Sequence, residues 1–537
     1  MIISADAVAA SYDYIVCGAG TAGCVVAARL SEDPALRVLL LEAGGHEQVA
    51  EVRDARVWMR NIGSERDWQF RAQPSSALNG RQPPLPMGRV LGGGSSINGL
   101  IWARGHKNDF DSWAEQTGDA GWSYDAVVAL YRRIEHWTGP AHPRLRGTGG
   151  PVHVGLPEDP VPLAVALKAA TASVAGVPAV DDLNAEAMEG SGACGIPNVA
   201  VMPGAVRVSS ASAYLRPALA RANLDVVTDA LVHRLTFAGT RATGVVFSVA
   251  GKRLTVAASS EVVLSAGALN TPRILMLSGI GPQAELARHG IAQRIALPGV
   301  GQNFQDHILV AGCVWEYRRP EPPRNNSAEF TFFCRSDSGL ETPDLQPVLE
   351  ECAFGSEVTR GQYALPDDPA RAWTLAPGLV RPHSRGHVSL TGSAPDAPLA
   401  IHANFLSDDR DVRALLHAVE LCRDIGNSQD LREFAGRELM PGPLKGAALE
   451  QFLRNAAGTY FHQTCTARMG RDEMSVVDGA LRVHGVQGLR IADGSVMPSI
   501  TTGNTMAPCV MIGERAADLL RAGAAAPVGT TQEERAW

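Results

Sequence analysis

Three glycines and one glutamate near the start of the chain have the types and spacing to hold a dinucleotide. Tyr12-Asp13-Tyr14-Ile15-Val16-Cys17 is an apolar, β-rich run, and Gly18-Ala19-Gly20-Thr21-Ala22-Gly23 follows it as GxGxxG. Gly18 permits a tight turn, Gly20 lets the backbone approach a pyrophosphate, and Gly23 lets a helix sit close on the strand. The Ala-rich run to Leu30 predicts that helix. Its N-terminus offers free N–H groups and a partial positive charge to phosphates. Arg37-Val38-Leu39-Leu40-Leu41-Glu42 predicts a second buried strand ending on an acid. Glu42 lies 19 residues past Gly23, where a carboxylate accepts hydrogen bonds from ribose hydroxyls.

The elements that position such a site share 537 residues, more than one typical domain. A hydrophobic content of 45% fits a large buried core. No apolar run reaches the roughly 18 residues of a membrane helix. Met1 to Ser11 has neither the basic start nor the apolar centre of a secretory signal. A net charge of -8 argues against a nucleic-acid surface. The nine cysteines are odd in number and form no CxxC pair. That pattern predicts free thiols in a reducing, cytoplasmic compartment, with no zinc or other metal site.

Residues 44–88 are rich in Arg, Pro, Gln and Gly and read as a long loop, a length often used for lids. Residues 221–266 are β-rich, and helical patterns follow at 271–279 and 409–425. Pro- and Gly-rich stretches at 317–325 and 364–386 predict connections. Ala522 to Gly529 is of low complexity, and the polar tail to Trp537 is expected to be mobile. The dinucleotide half is thus interrupted by a second region, roughly 311–459, before the chain returns to it.

Four further segments narrow the reading. They are Gly88-Arg89-Val90-Leu91-Gly92-Gly93-Gly94-Ser95-Ser96-Ile97-Asn98, Gly267-Ala268-Leu269-Asn270-Thr271-Pro272, Gly299-Val300-Gly301-Gln302-Asn303-Phe304-Gln305-Asp306-His307, and His462-Gln463-Thr464-Cys465-Thr466 with the later Ala492-Asp493-Gly494. Together they resemble the glucose–methanol–choline (GMC) family of FAD-dependent oxidoreductases, over residues 12 to 522. The resemblance implies an α/β fold: a Rossmann-like FAD-binding domain with an inserted antiparallel-sheet substrate domain, as in p-hydroxybenzoate hydroxylase. The FAD-binding domain would comprise 1–155, 205–310 and 460–537, and the substrate domain 156–204 and 311–459. FAD contacts would come from Gly18, Gly20, Thr21, Ala22, Gly23, Glu42 and Ala43. Others would come from Arg89, Gly92, Gly93, Ser95, Asn98 and Gly99, and the rest from Val232, Ala266, Gly267, Asp493, Thr505 and Met506. Gly92 to Ser96 is too flexible for a helix interior and suits a loop whose N–H groups meet a flavin or phosphate. His307 is expected to be an ordinary, satisfied histidine in a turn.

Oxidising an alcohol through a flavin removes a proton from oxygen and a hydride from carbon, which passes to flavin N5. A histidine can serve as the base, and an asparagine amide can orient the oxygen without adding charge. By the resemblance, His462 is that base and Asn504 the second active-site residue. Apolar spacing after Asn504 predicts a helix with Pro508 in its first turn, where proline is tolerated. Its N-terminal dipole would favour an anionic reduced flavin. Members with covalent FAD carry His where this chain has Ile97, so non-covalent FAD is expected. Cys465 stands where relatives usually have Gly; a side chain there could narrow the site or shift His462, and the sequence leaves its effect open. Tyr460, Phe461 and Phe333 are expected at the substrate cavity; Trp315, Tyr317, Phe330, Phe332, Phe354 and Trp373 are candidates for further aromatic walls, with a place in the core the favoured reading for each. Arg423–Ile425, Arg437–Gly442 and Tyr317–Asn326 resemble a family member acting on a heteroaromatic primary alcohol, which has Pro in place of Asn504. The expected reaction is oxidation of a primary alcohol, aromatic or heteroaromatic, to its aldehyde, with O2 as acceptor. A dehydrogenase using a quinone and an FAD-containing hydroxynitrile lyase are the alternatives.

Overall fold

The computed structural model describes residues 1–525, so the polar tail expected to be mobile lies outside the described residues from 526 onward. The first sheet has a parallel core ordered Leu224–Val227, Val38–Leu41, Ser11–Cys17 and Lys252–Leu264. Val38–Leu41 is buried along its whole length, as a continuous apolar run in a doubly covered parallel sheet should be. Ala230–Ala238 and Arg241–Val249 add an antiparallel meander. Lys252–Leu264 has two jobs along one edge. Its first half pairs with Arg241–Val249, and its last residues, Val262 to Leu264, pair in parallel with Leu489–Ile491. The chain's C-terminal part thereby rejoins the sheet that its N-terminal part begins.

The turn after the first strand depends on its glycines. Gly18 has φ +102, and a Cβ there would lie 2.4 Å from the Ser265 carbonyl oxygen. A Cβ on Gly23 would lie 1.9 Å from the Gly18 carbonyl oxygen, so only glycine lets the helix Thr21–Leu30 approach the strand this closely. That helix is crossed by the final helix, Met506–Ala525, where Gly513 approaches Ala22 and Val25. The first helix is therefore buried almost all round by small side chains rather than carrying one apolar stripe.

A second, six-stranded antiparallel sheet runs Ala435–Met440, Val314–Tyr317, Ala372–Ala376, Val348–Glu350, Thr331–Phe333 and Ala193–Gly195. Its order mixes one strand from residues 156–204 with five from 311–459. The stretch 364–386, expected to be only a connection, contributes the strand Ala372–Ala376, fully buried despite the flanking prolines. The helix expected at 271–279 begins earlier, at Gly267, because Asp493 caps it: Gly267 N–H donates to Oδ2 at 2.9 Å and the Thr271 hydroxyl at 2.6 Å. The second expected helix is Asp409–Gly426. Residues 44–88 are mostly irregular, with short turns and a two-residue β-ladder, and they run across the opening between the two sheets.

Gly23→Ala must push the helix off its strand, and overpacking of this kind costs about 1–3 kcal/mol. A clear drop in the denaturation midpoint is expected. Gly361→Ala, whose Cβ would meet nothing within 4 Å in the helix Glu357–Gln362, should leave the midpoint unchanged or raise it.

Candidate active site

One elongated cavity, with about 1840 Å³ of empty space counted out to solvent, runs from the glycine turn to the C-terminal segment. At one end it is lined by Gly18, Gly20, Thr21, Ala22, Glu42, Ala43 and Val232. Gly93, Ser95, Asn98, Gly99, Ala266, Gly267 and Asp493 line its middle. Tyr460, Phe461, His462, Asn504, Thr505 and Met506 line the far end. Four expected contact residues lie outside the lining. Gly23 and Gly92 serve packing: a Cβ on Gly92 would strike the Ser96 hydroxyl oxygen at 2.2 Å. Arg89 lies over the ring of Trp68 at 5.0 Å and donates weakly to the Ala43 carbonyl. Phe333 sits behind Gly503, in a buried cluster with Leu183, Met188 and Ala193.

The other candidate aromatics stay out of the lining, in keeping with the core reading favoured for each of them. Trp315 and Trp373 stack on each other at 4.5 Å and are fully buried within the second sheet. Phe330 and Phe332 are core residues, and Tyr317 and Phe354 do not reach the lining. A sequence shows that a residue is aromatic, but not which face of a strand it occupies in a sheet covered on both sides. The aromatic wall comes instead from the long loop, through Trp58 and Trp68. Trp58 Nε1–H donates to the Asn326 carbonyl at 3.0 Å, and the Asn326 amide donates to the Gly99 carbonyl at 2.6 Å. The loop is thus tied across the cavity to the second sheet's leading segment.

The nucleotide end fits the adenosine and pyrophosphate of FAD. A Cβ on Gly20 would be 3.6 Å from the nearest protein atom. The protein does not need glycine there, so a close ligand accounts for it. Glu42 accepts the backbone N–H groups of Ala19 at 2.9 Å and Gly44 at 2.8 Å, one on each oxygen. Each oxygen keeps a lone pair for a ribose hydroxyl. Burial raises Glu42 to about 7 against those two hydrogen bonds. Ser265 Oγ and Asn270 Oδ1 line the cavity, buried and without a partner among the described residues, as expected of groups that meet a polar ligand.

The far end is organised around His462. His307 Nε2 faces the Thr501 carbonyl oxygen at 2.9 Å. A carbonyl only accepts, so that nitrogen carries the hydrogen. Burial first, and His462 beside it second, hold the His307 pKa well below its usual value, so the ring is neutral. Its Nδ1 is therefore a lone pair, and the contact at 2.9 Å to His462 Nδ1 requires His462 to donate there. His462 Nε2 is left as the unprotonated nitrogen. The Asn504 amide donates to it at 3.3 Å, and Gln346 donates to Asn504 Oδ1 at 3.0 Å. Every member of this chain has its role fixed by its neighbour. His307, expected to be an ordinary turn histidine, sets the tautomer of the residue at the site.

The backbone around His462 is held as firmly. Asp306 accepts His462 N–H at 2.9 Å, the Thr459 hydroxyl at 2.5 Å and the Gln463 amide at 3.1 Å. Burial outweighs these bonds and raises Asp306 to about 7. Phe461 has φ +68, a left-handed conformation that costs an aromatic residue about 1–2 kcal/mol, and its N–H donates to Thr459 Oγ1 at 2.7 Å. Tyr460 stacks on His462 with ring centres 5.1 Å apart. Asp109 accepts Thr502 N–H at 2.7 Å and so fixes the turn that presents the Thr501 carbonyl. Sequence reasoning missed Gln346, Asp109 and the role of Asp306; only the QDH segment offered a signal. Cys465 also has φ +72, but it is not part of the lining: its thiol donates to Thr464 Oγ1 at 3.2 Å, away from the cavity. It therefore does not narrow the site.

A dinucleotide cradle continuous with a neutral imidazole fits a nucleotide-dependent oxidoreductase. Comparison with known proteins makes this specific. The family models for the N- and C-terminal domains of GMC oxidoreductases match residues 12–309 and 382–513, and the chain belongs to that family. It is 38% identical to an uncharacterized GMC-type oxidoreductase of Mycobacterium tuberculosis, over 95% of this chain and 99% of the relative. It is 36% identical to an oxygen-dependent choline dehydrogenase of Vibrio vulnificus, over 95% and 94%. Among solved structures, pyridoxine 4-oxidase from Mesorbium loti superposes with a TM-score of 0.90 at 33% identity, covering 95% of this chain and 99% of that one. The protein is an FAD-dependent alcohol oxidoreductase. No helix among the described residues is long and apolar enough to cross a membrane.

Burial lowers the His462 pKa to about 3, against about 6.5 in an unfolded chain. The unfolded chain therefore binds a proton that the folded one refuses, and this group withdraws stability as pH falls below about 6.5. Nitrogen-15 NMR of the imidazoles should show His462 neutral with Nδ1 protonated from pH 8 down to pH 5. Titration near 6.5, or a hydrogen on Nε2, would contradict the chain of donors.

Proposed function

We propose that the protein oxidises a primary alcohol, aromatic or heteroaromatic, to its aldehyde, with His462 Nε2 taking the hydroxyl proton. The observation that carries this reading is the fixed tautomer. The Nε2 lone pair lies at the cavity, where the Asn504 amide meets it at 3.3 Å, and that amide has a second hydrogen to offer to the substrate oxygen. Gln346 holds the Asn504 carbonyl, so the amide N–H₂ stays turned to the site. Once Nε2 is protonated, positive charge on His462 is shared with His307, whose Nδ1 lone pair accepts the Nδ1 hydrogen bond more strongly. FAD, held by the Gly18–Gly23 turn, Glu42 and the Gly93–Gly99 loop, supplies the two-electron acceptor.

The aromatic preference rests on the walls at the reacting end: Tyr460, Phe461, Ile101, Leu309, Ala328 and Val348, with Trp58 across from them. Such a surface gains from burying a ring at roughly 25 cal/mol per Å². The likeness to pyridoxine 4-oxidase supports the same class. FAD is proposed to be non-covalent, because Ile97 in the lining has no nucleophile. The acceptor is proposed to be O2, and the compartment cytoplasmic, in keeping with nine free cysteines. The domain division drawn from the sequence, 1–155, 205–310 and 460–537 against 156–204 and 311–459, is retained as a proposal and is supported by the membership of the second sheet.

Benzyl alcohol or a pyridine carbinol should bleach the flavin anaerobically, and admission of air should restore the colour with peroxide. Slow restoration would point to a quinone-type acceptor, and persistent yellow colour to lyase chemistry. In His462→Ala the flavin should be retained while its reduction slows about 10²–10⁴-fold; undiminished reduction would overturn the assignment. Acid precipitation should release all of the flavin into the supernatant.

A further inference from the structure

The cavity contains a carboxyl group that neither the proposed chemistry nor the fold uses. Glu350 is the last residue of the strand Val348–Glu350, in the interior of the second sheet. Strand alternation puts Val348 and Glu350 on the cavity side, and Leu349 turns into the core. Two other carboxylates line the cavity, and both are occupied. Glu42 accepts two backbone N–H groups, while Asp493 accepts from Gly267, Thr271 and Ser495. Among the described residues, no hydrogen bond reaches the Glu350 carboxyl and no cation lies within 4.0 Å of it. The carboxyl is half-buried and opens to the cavity, and the protein around it offers no polar partner. Val348, Leu309, Ala328 and Tyr460 form one apolar cluster on this wall. The nearby ionisable groups, Glu351, Cys352 and Tyr460, are all acids.

A carboxyl left this way has no structural reason to be a carboxyl. Leucine would pack against the same cluster without the desolvation cost. What it suits is a ligand bringing the missing positive charge or proton acceptor. We propose that Glu350 determines specificity and that the substrate is an alcohol bearing a basic nitrogen, an amine or a pyridine-type ring nitrogen. The nitrogen meets Glu350 when the carbinol lies at His462. This rests on the reading of the site as an alcohol-oxidising centre and narrows its substrate.

The placement supports the pairing. Tyr460 stacks on His462 at 5.1 Å and belongs to the cluster that includes Val348, so base and carboxyl share one wall of the cavity. A substrate ring lying along that wall can address both ends at once. Burial raises Glu350 to about 8, so the empty cavity holds a neutral carboxyl at pH 7. Such a group donates its hydrogen to an unprotonated nitrogen. Against a stronger base it gives up the proton and becomes the carboxylate partner of the resulting cation. One proton sits between oxygen and nitrogen in either case, and no other charge is buried. A neutral aryl alcohol leaves the carboxyl unmatched.

The test compares holoenzyme with Glu350→Gln and Glu350→Leu. The substrates are 3-pyridylmethanol against benzyl alcohol, and 4-(aminomethyl)benzyl alcohol against 4-ethylbenzyl alcohol. Wild type should favour the nitrogen-bearing member of at least one pair by 10-fold or more in kcat/KM, and Glu350→Leu should bring that ratio to within 2-fold of unity. The pair that responds distinguishes ring nitrogen from amine. Equal ratios in wild type and Glu350→Leu would overturn the proposal. A second readout separates it from the oxidation reading: binding of 3-picoline, benzylamine and toluene, followed by perturbation of the flavin spectrum. If no carbinol bleaches the flavin, the oxidation reading fails; 10-fold tighter binding of either nitrogen base by wild type than by Glu350→Leu would still support the Glu350 site. Equal binding would reject it.

Discussion

The Thr501 carbonyl has no hydrogen to give, and the geometry of the reacting end follows from that. It obliges His307 to spend its Nε2 hydrogen on the backbone, which leaves Nδ1 as an acceptor. His462 must then donate through Nδ1 and keep Nε2 unprotonated, as the acceptor of the Asn504 amide. The direction of each hydrogen bond is transmitted along two rings and an amide without any charged group. A charged orienting partner would also fix the tautomer, but it would bury a carboxylate beside the base. Here Asp306 holds only the backbone of His462, and the ring is oriented by neutral groups alone. The apolar setting that this permits keeps the imidazole unprotonated.

The turn that presents Thr501 is fixed by Asp109, far away in sequence, and the strand Leu489–Ile491 brings the whole segment to the sheet begun by Ser11–Cys17. Two helices complete the join. Thr21–Leu30 starts at the nucleotide cradle and Met506–Ala525 starts at the reacting end, and they cross where Gly513 meets Ala22 and Val25. Asn98, in the glycine-rich loop that lines the cavity, reaches the second start directly, its amide donating to the Met506 sulfur at 3.2 Å. Cofactor cradle and base are thus braced by the same pair of helices.

Much of this was legible in the sequence where local rules govern. The GxGxxG turn, its strands and its helix read correctly because glycine geometry and apolar runs are properties of a few adjacent residues. The strands within 221–266 and the helix from Asp409 followed from periodicity for the same reason. The glycine- and histidine-bearing segments marked the family. Failures came where partners are distant. Phe333 looked like a cavity wall because a strand in a sheet covered on both sides gives no sign of which face meets the ligand. His307 looked inert because its importance depends on a carbonyl 194 residues away. The strand Ala372–Ala376 was hidden by surrounding prolines that lie outside its hydrogen-bonded residues.

The parallel pairing of Leu489–Ile491 with Val262–Leu264 also orders events during synthesis. Residues that line the nucleotide end, from Cys17 to Ala43 and from Ala230 to Ile274, leave the ribosome long before His462 and Asn504. Until the late strand docks, the flank of Lys252–Leu264 is unpaired there, and the site lacks both its base and the Asp493 that caps the helix at Gly267. The two ends of the cavity come together only when this late strand closes on the early sheet.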